Sequence, residues 1–364
     1  MDEKIKEVLD QYSFEVTNAY RGRGAFICET SQGLKLVREY PLSPNRLVFE
    51  SMAKYMIRDR GYMNIDQITV NREGELLSKN RYDKSFVVKD WYEGRECDMK
   101  SREDLLATSV NLARLHKVMR HVNLSGEGIG SYFYGGMKVV FEKHCREMKS
   151  IKNYMRSRKQ KNKFETMYLD YYDEFFVQAQ AAVNALAENA AYDDLLREAG
   201  EEKTLCHGDY NHHNVILMRG NSGLPASYTA SGKLPNMATV NFDKMNVNIQ
   251  INDLYQFLRK VMEKNRWDIH LGMDIIYAYD SERPMTAGEK EYLYILMLFP
   301  EKFWKIANHY YNTRKSWTSA RNQEKLEAFA ASAGARQQFL DKFYGYMMCQ
   351  MRAADVNDHT PAGF

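Results

Sequence analysis

The pattern of apolar and polar positions changes character near residue 93. Before that point, apolar residues fall in short runs separated by turn formers. Tyr12 to Val16, Ala25 to Glu29 and Leu34 to Arg38 read as three strands, with Gly22 and Gly24 in the first gap and Ser31-Gln32-Gly33 in the second. A helical period follows over Leu47 to Arg60. Gln67 to Asn71, Leu76 to Ser78 and Phe86 to Tyr92 then read as three further strands. With a short helix over residues 1 to 11, carrying Ile5, Val8 and Leu9 on one face, this predicts a small, mostly antiparallel sheet with one helix packed on it. After Glu93-Gly94 the helical period takes over: residues 104 to 118, 137 to 160 and 163 to 198, and nearly everything from Asp253 onward. The exception is a strand pair, Val215 to Met218 and Ala238 to Phe242, set around a polar loop. The expectation is an α+β, two-lobed protein of two domains: a β-rich lobe over residues 1–93 and a mainly α-helical lobe over 94–364.

Composition narrows the class without naming a function. The chain has 364 residues, 44% of them apolar and 27% charged, which suits an ordinary folded chain with a sizeable core. A net charge of +3 gives no electrostatic case for nucleic acid as a partner. Five widely spaced cysteines, with no Cys-x-x-Cys, argue against a disulfide framework or a zinc site and for a reducing, cytoplasmic compartment. No apolar run is long enough to span a bilayer, and Met-Asp-Glu-Lys-Ile-Lys at the start lacks the apolar stretch of a signal peptide. One local charge run changes this picture. Lys143, Arg146, Lys149, Lys152, Arg156, Arg158, Lys159, Lys161 and Lys163 lie within 21 residues, either as a solvated helix face or as a docking face for an acidic partner.

The chemistry concentrates in Leu205 to Asn214, Leu-Cys-His-Gly-Asp-Tyr-Asn-His-His-Asn, whose skeleton is His207-Gly208-Asp209 and, five residues after the acid, Asn214. That spacing lets one tight loop aim a carboxylate and an amide into a common site. In kinase-like enzymes the acid orients the attacking hydroxyl and the amide oxygen holds a magnesium ion on the nucleotide phosphates. A strand follows the loop, and a second one ends in Asn241-Phe242-Asp243, the place for further metal ligands. Asp209 is the candidate base, with His207 beside it as a brace of the loop. Asn214, Asn241 and Asp243 are the candidate metal ligands. Tyr210, Asn211, His212 and His213 lie inside the loop, where they could face a substrate. Gly220 to Asn236 forms a long loop between the two strands, of a length that is usually functional or disordered.

With these residues in view, the chain resembles the aminoglycoside phosphotransferase and choline kinase superfamily of kinase-like folds, and within it the spore coat protein S (CotS) family. Besides the loop, Val88 to Arg95 looks like the hinge of that fold, Leu112 to His116 like its Leu-Ala-x-Leu-His helix, and Asp253-Leu254 like its Asp-Leu helix start. Pro300-Glu301-Lys302-Phe303-Trp304, Tyr310-Tyr311 and Arg314 to Trp317 look like the coat family's C-terminal signature. The resemblance implies a nucleotide (ATP) with magnesium beside the hinge, placing Asp90 and Tyr92 near it. It also implies a link to sporulation, with spore coat proteins as partners and the coat as a destination.

Two positions depart from the family pattern. Asn241 stands where an aspartate is usual, which keeps an acceptor oxygen but loses a charge that a hard cation relies on. Arg38 stands where the nucleotide lysine is expected. Strand alternation puts Leu34, Leu36 and Arg38 on one face and Lys35 on the other, so Arg38 and not Lys35 should enter the site. Glu50, early in the following helix, could pair with Arg38 or could be a surface residue favoured by the helix dipole. Two functions remain open: ATP-dependent phosphotransfer to a small hydroxyl or amine substrate, and a degenerate kinase serving as a structural or binding component of the coat.

Overall fold

A computed structural model describes residues 3–22, 24–122, 132, 135–219, 228–229, 232–233, 236–312 and 319–358. It opens with helix α1 (Glu3–Leu9), strands β1 (Val16–Arg21), β2 (Phe26–Thr30) and β3 (Gly33–Glu39), and helix α2 (Pro44–Asp59). Strands β4 (Ser78–Lys79), β5 (Ser85–Asp90) and β6 (Gly94–Glu96) precede α3 (Arg102–Val118). Helices α4 (Met137–Ser157), α5 (Lys163–Glu188) and α6 (Ala190–Glu201) follow. Five short strands come next: β7 (Leu205–Cys206), β8 (Val215–Met218), β9 (Tyr228–Thr229), β10 (Gly232–Lys233) and β11 (Met237–Thr239), then β12 (Asn246–Val247). The chain ends in α7 (Ile251–Lys264), α8 (Ile269–Glu282), α9 (Ala287–Leu298), α10 (Glu301–Asn312), α11 (Ser319–Ala331) and α12 (Ala333–Asp358). This is the expected two-lobed, kinase-like α+β fold, with a β-rich start and a helical remainder.

Packing groups the chain differently from the expected division at residue 93. One compact unit holds residues 1–133 and 202–253, and the other holds 134–201 and 254–364. The hinge strand, α3 and the polar loop therefore belong with the β-rich segment. The reason is visible in the strand ladder. β6 pairs with β8, which pairs with β11, so the crossover after the first sheet is stitched to the loop region by main-chain bonds. Gly94 makes that ladder close: a β-carbon there would stand 2.2 Å from the carbonyl oxygen of Leu217.

The first unit is built on a five-stranded antiparallel sheet, in the order β1-β2-β3-β5-β4. α1 covers one face of it, where Ile5, Val8, Leu9 and Tyr12 join Cys28, Val37 and Val88 in a buried cluster. Tyr12 to Phe14 therefore belongs to this plug and not to a strand, and β1 starts only at Val16. Ser43 caps α2 through the amide of Arg46, with Pro44 at the first helical position, so that helix starts three residues before the apolar period does. Gln67 to Asn71 forms no strand. Only an isolated bridge, Ile68 to Lys89, ties it to β5, while Asn71 turns back on its own neighbours through the amides of Glu73 and Glu75.

The second unit is a helical assembly in which α5 contacts α4, α9 and α11, and α12 contacts α8 and α9. The expected helix over 163–198 is two helices, because Asn189 takes an extended conformation and accepts from the amide of Tyr192. An aromatic core fills the unit: Phe303 stacks on Tyr168 with ring centroids 4.7 Å apart, and Phe141 stacks on Phe299 at 3.9 Å. The aromatic content of Pro300 to Trp304 is therefore packing. Arg314 to Trp317 lies outside the described residues.

Candidate functional site

All nine residues singled out as site candidates fall in the first unit, and two groups of contacts organise them. The first group holds the loop after β7. Gly208 has φ +78°, and a β-carbon on it would stand 2.0 Å from the carbonyl oxygen of Lys244, so only glycine lets the loop lie against the turn after Asn241. Asp253, fully buried, accepts from the amide of His207 (2.6 Å) and from that of Gly208 (2.9 Å), and meets His116 Nε2 at 3.2 Å. The Leu112–His116 helix and the Asp-Leu helix start thus act together, and both hold the backbone of the His-Gly-Asp turn.

His207 is a brace. Its Nε2 lies 3.0 Å from the carbonyl oxygen of Val240, and its Nδ1 accepts from the amide of Asp209 at 3.2 Å. Those two bonds require the neutral tautomer with the proton on Nε2. Burial pushes its pKa below the ordinary histidine value, against the pull of Asp253. Both ring nitrogens are engaged with backbone, so the ring holds the loop in place. Asp209 itself is half-buried, with Oδ2 2.9 Å from the ammonium of the exposed Lys244 and Oδ1 3.1 Å from Asn211 Nδ2. Asn214 donates to the carbonyl oxygen of Asp209 at 2.9 Å.

Of the residues inside the loop, Tyr210 is buried, donating to the Thr108 carbonyl at 2.9 Å and accepting from Asn111. It is a core residue and does not face a substrate. His213 lies 2.6 Å from Glu96 through Nδ1, with the tilted ring of His212 beside it at 3.7 Å between centroids. Apart from 228–229, 232–233 and 236, the stretch Gly220 to Asn236 lies outside the described residues.

The second group is ionic. Arg38 reaches Asp243, forming an ion pair with Oδ1, and its Nη1 lies 3.5 Å from Asn241 Oδ1. Lys35 turns to the other face of β3, pairing with Asp90 at 2.6 Å and Thr69 at 3.2 Å. These are the two faces that strand alternation predicts. Glu50 is fully buried and does not pair with Arg38. It binds Lys54, one helical turn on, at 2.5 Å and Lys89 at 2.6 Å. Lys89 also lies 2.8 Å from Asp243 Oδ1, and Lys54 lies 2.7 Å from Asp66. Three carboxylates, Glu50, Asp66 and Asp243, thus face three cations, Lys54, Lys89 and Arg38. Arg46 adds bonds from its guanidinium to the carbonyl oxygens of Asp243 and Met245.

Sequence reasoning does not find Lys89, Lys54, Asp66 or Lys244. One signal is available for Lys89: it interrupts the apolar run of β5 on the face shared with Leu36, its cross-strand partner. A charge at such a buried position must be paired. Burial alone would drive its ammonium toward the neutral form, but Glu50, Asp66 and Asp243 hold its pKa above the usual lysine value. Burial pushes the Asp243 carboxyl up, and Lys89 and Arg38 outweigh it, leaving the group well below the ordinary carboxylate range.

The donor set does not fit a magnesium ion as it stands. Asn241 is neutral and sits at φ 66°, ψ 57°, a left-handed conformation that asparagine and aspartate tolerate better than most side chains. Its Nδ2 donates to Asn214 Oδ1 at 2.9 Å, the oxygen that would face a metal. Asp243 Oδ1 already has two cations on it. Among the described residues no group of three or more His, Cys, Asp or Glu side chains could hold a metal ion. The hinge candidates are engaged with protein groups too: Asp90 with Lys35, and Tyr92 through its hydroxyl with the Ile65 carbonyl at 2.8 Å.

Comparison with known proteins decides the lineage. The profile of the spore coat putative kinase YutH family matches residues 5–343. The chain belongs to that family. Spore coat protein S of Bacillus subtilis (strain 168) is 21% identical to this YutH-family chain over 345 residues, 93% of each. Among solved structures, an aminoglycoside phosphotransferase from Alicyclobacillus acidocaldarius superposes with a TM-score of 0.80 at 16% identity, covering 94% of this chain and 96% of that one. Spectinomycin phosphotransferase in complex with ADP and spectinomycin gives 0.58 at 11% identity, over 92% and 97%. An amicoumacin kinase with AMP-PNP and calcium gives 0.57 at 14%, over 94% of each chain. These structures share the fold with the YutH-family chain, and the resemblance to spore coat protein S holds. No described helix is long and apolar enough to cross a membrane.

Proposed function

We propose that this YutH-family chain is made in the cytoplasm and joins the spore coat as a kinase-like binding component, with the magnesium-dependent phosphotransfer of its fold reduced or lost. One observation carries the reading: Asp243, the acid that survives in Asn241-Phe242-Asp243, has Arg38 and Lys89 on a single oxygen. A hard divalent cation needs uncommitted carboxylate charge, and this one is neutralised from within the protein. Calorimetric titration of ATP and ADP, across a magnesium series and with EDTA, tests it. The expected result is weak or metal-independent binding without ADP release. Tight, magnesium-dependent binding with turnover would overturn it.

A second reading, phosphotransfer to a small hydroxyl or amine substrate, is favoured by the intact Asp209–Asn214 loop. Its backbone is held by Asp253 through the amides of His207 and Gly208, and Asp209 stays partly exposed. In that reading Asp209 accepts the hydrogen bond of the attacking group once Lys244 lets go. Asp209→Asn would then abolish turnover while leaving nucleotide affinity unchanged.

A further inference from the structure

The basic run that the candidate site leaves unused takes a definite form on the second unit. α4 buries Phe141, His144, Cys145, Met148, Ile151 and Met155 along one side. Lys143, Arg146, Lys149 and Arg156 stand exposed on the other, and Arg158, Lys159, Lys161 and Lys163 continue the exposed run to the start of α5. The span 137–163 holds ten basic and two acidic side chains, a net of +8, whereas the whole chain carries +3. The remaining 337 residues are therefore net −5, and the positive charge is segregated rather than spread.

Internal pairing leaves much of this face uncompensated. Lys152 pairs with Asp173 at 2.7 Å and Arg158 with Glu165 at 2.5 Å, while Lys143 and Lys163 have carboxylates only at 4.0 Å. Arg146, Lys149, Arg156, Lys159 and Lys161 have no ion-pair partner among the described residues. Like charges one turn apart on a helix repel, so this arrangement works against the stability of α4. From Lys143 to Arg156 the strip runs about 20 Å at the rise of an α-helix. Near its C-terminal end, Tyr154 and Tyr311 are both exposed and meet edge to face at 5.3 Å. Cations in a row with an aromatic pair at one end form a surface for an extended run of carboxylates with an apolar or aromatic anchor.

We propose that this face of α4 and the turn after it dock an acidic polypeptide segment. The choice of a polypeptide over another polyanion rests on the coat association proposed above, where neighbouring proteins would be the partners. The strip lies apart in sequence from Arg38, Lys89 and Asp243, so the two readings can fail separately.

The test measures binding of poly-L-glutamate, with single-stranded DNA of matched charge as comparison, by fluorescence anisotropy over a salt series. Three full-length variants are compared with the parent: Arg146→Glu/Lys149→Glu/Arg156→Glu; a control of equal charge change at exposed sites elsewhere, Arg72→Glu/Lys264→Glu/Lys342→Glu; and Arg38→Ala. The parent should bind poly-L-glutamate in a salt-sensitive way and more tightly than DNA. The α4 variant should lose roughly tenfold or more in affinity, with the control and Arg38→Ala near the parent. Thermal unfolding of the α4 variant should match or exceed the parent's, because like-charge repulsion is relieved. Absent binding, equal loss in the control, or preference for DNA would each overturn the proposal. Self-association of the parent that the α4 variant abolishes would also overturn it, by making a second copy the occupant.

Discussion

The loop around Asp209 and the strand end around Asp243 lie in one unit and are held by different physics. The loop is held through its backbone: Gly208 permits the turn, Asp253 takes two of its amides, and a neutral His207 joins it to Val240. The strand end is held by side-chain charge, with Lys89 and Arg38 on Asp243 and Glu50 shared between Lys54 and Lys89. Backbone bracing keeps a shape whatever the site binds. Charge pairing decides what can bind, because it consumes the groups a ligand would use. On the function proposed above, the contrast explains how a chain could keep the loop of a kinase-like fold and lose its metal binding.

The largest effect that would sharpen this contrast comes from Lys89→Met. It leaves Glu50 and Asp243 short of a buried partner and should cost about 3–5 kcal/mol in urea unfolding. A loss under about 1 kcal/mol would mean that Lys54 and Arg38 suffice, and that the network is not what holds the strand end. Asp253→Asn should follow, at about 2–3 kcal/mol, because an amide group would point at amides that need an acceptor. If its loss exceeded that of Lys89→Met, the loop would depend on charge as much as the strand end does.

Gly208→Ala should cost about 2 kcal/mol or more through the positive φ and the contact with Lys244, and should displace the loop. A crystal structure of that variant with an unmoved loop would break the backbone half of the comparison.

Acid titration of stability separates the two regions by sign and window. His207 is held below its ordinary pKa, so its contribution is complete above about pH 6.5 and is lost as pH falls through the lower folded value. Glu50 and Asp243 are also depressed, so theirs is complete above about pH 4.5 and is lost only below it. Lys89 has a raised pKa, so its share is present throughout this range and fades only in strong alkali. Unfolding free energy should therefore fall in two stages, at up to about 1.4 kcal/mol per pH unit per group. His207→Asn should flatten the first stage and Asp243→Asn should shrink the second; exchange of those outcomes would refute the assignment.

The smallest expected change in stability, under about 1 kcal/mol, belongs to Asn241→Asp, since aspartate also accepts the left-handed backbone. Its effect should be read in nucleotide titrations. A gain in magnesium-dependent affinity means that the missing charge is the defect. No gain means that Arg38 and Lys89 still silence the site.

Much of the fold is legible in the chain because short-range rules govern it. The periods of the second and third strands and of α2 survive in the structure, and alternation along β3 puts Arg38 and Lys35 on opposite faces. Local pattern and structure part where longer-range packing wins. Tyr12 to Phe14 looks like a strand but packs under α1, and the 163–198 period runs across a break at Asn189 that it does not register. The pattern of Ala238 to Phe242 predicts a strand to its end, but the strand stops at Thr239, because Asn241 must turn left-handed to face Asn214.

By itself, then, the sequence determined the class of fold, the loop with Asp209 and Asn214, and the departures at Asn241 and Arg38. These depend on spacing along the chain, which a reader of the chain can measure. Only the tertiary structure decided which charges meet. Lys89 and Asp243 are 154 positions apart, and Lys244 and Asp209 are 35 apart. An ion pair is set by distance in space and by the burial around it, and neither quantity is written in any period of the chain.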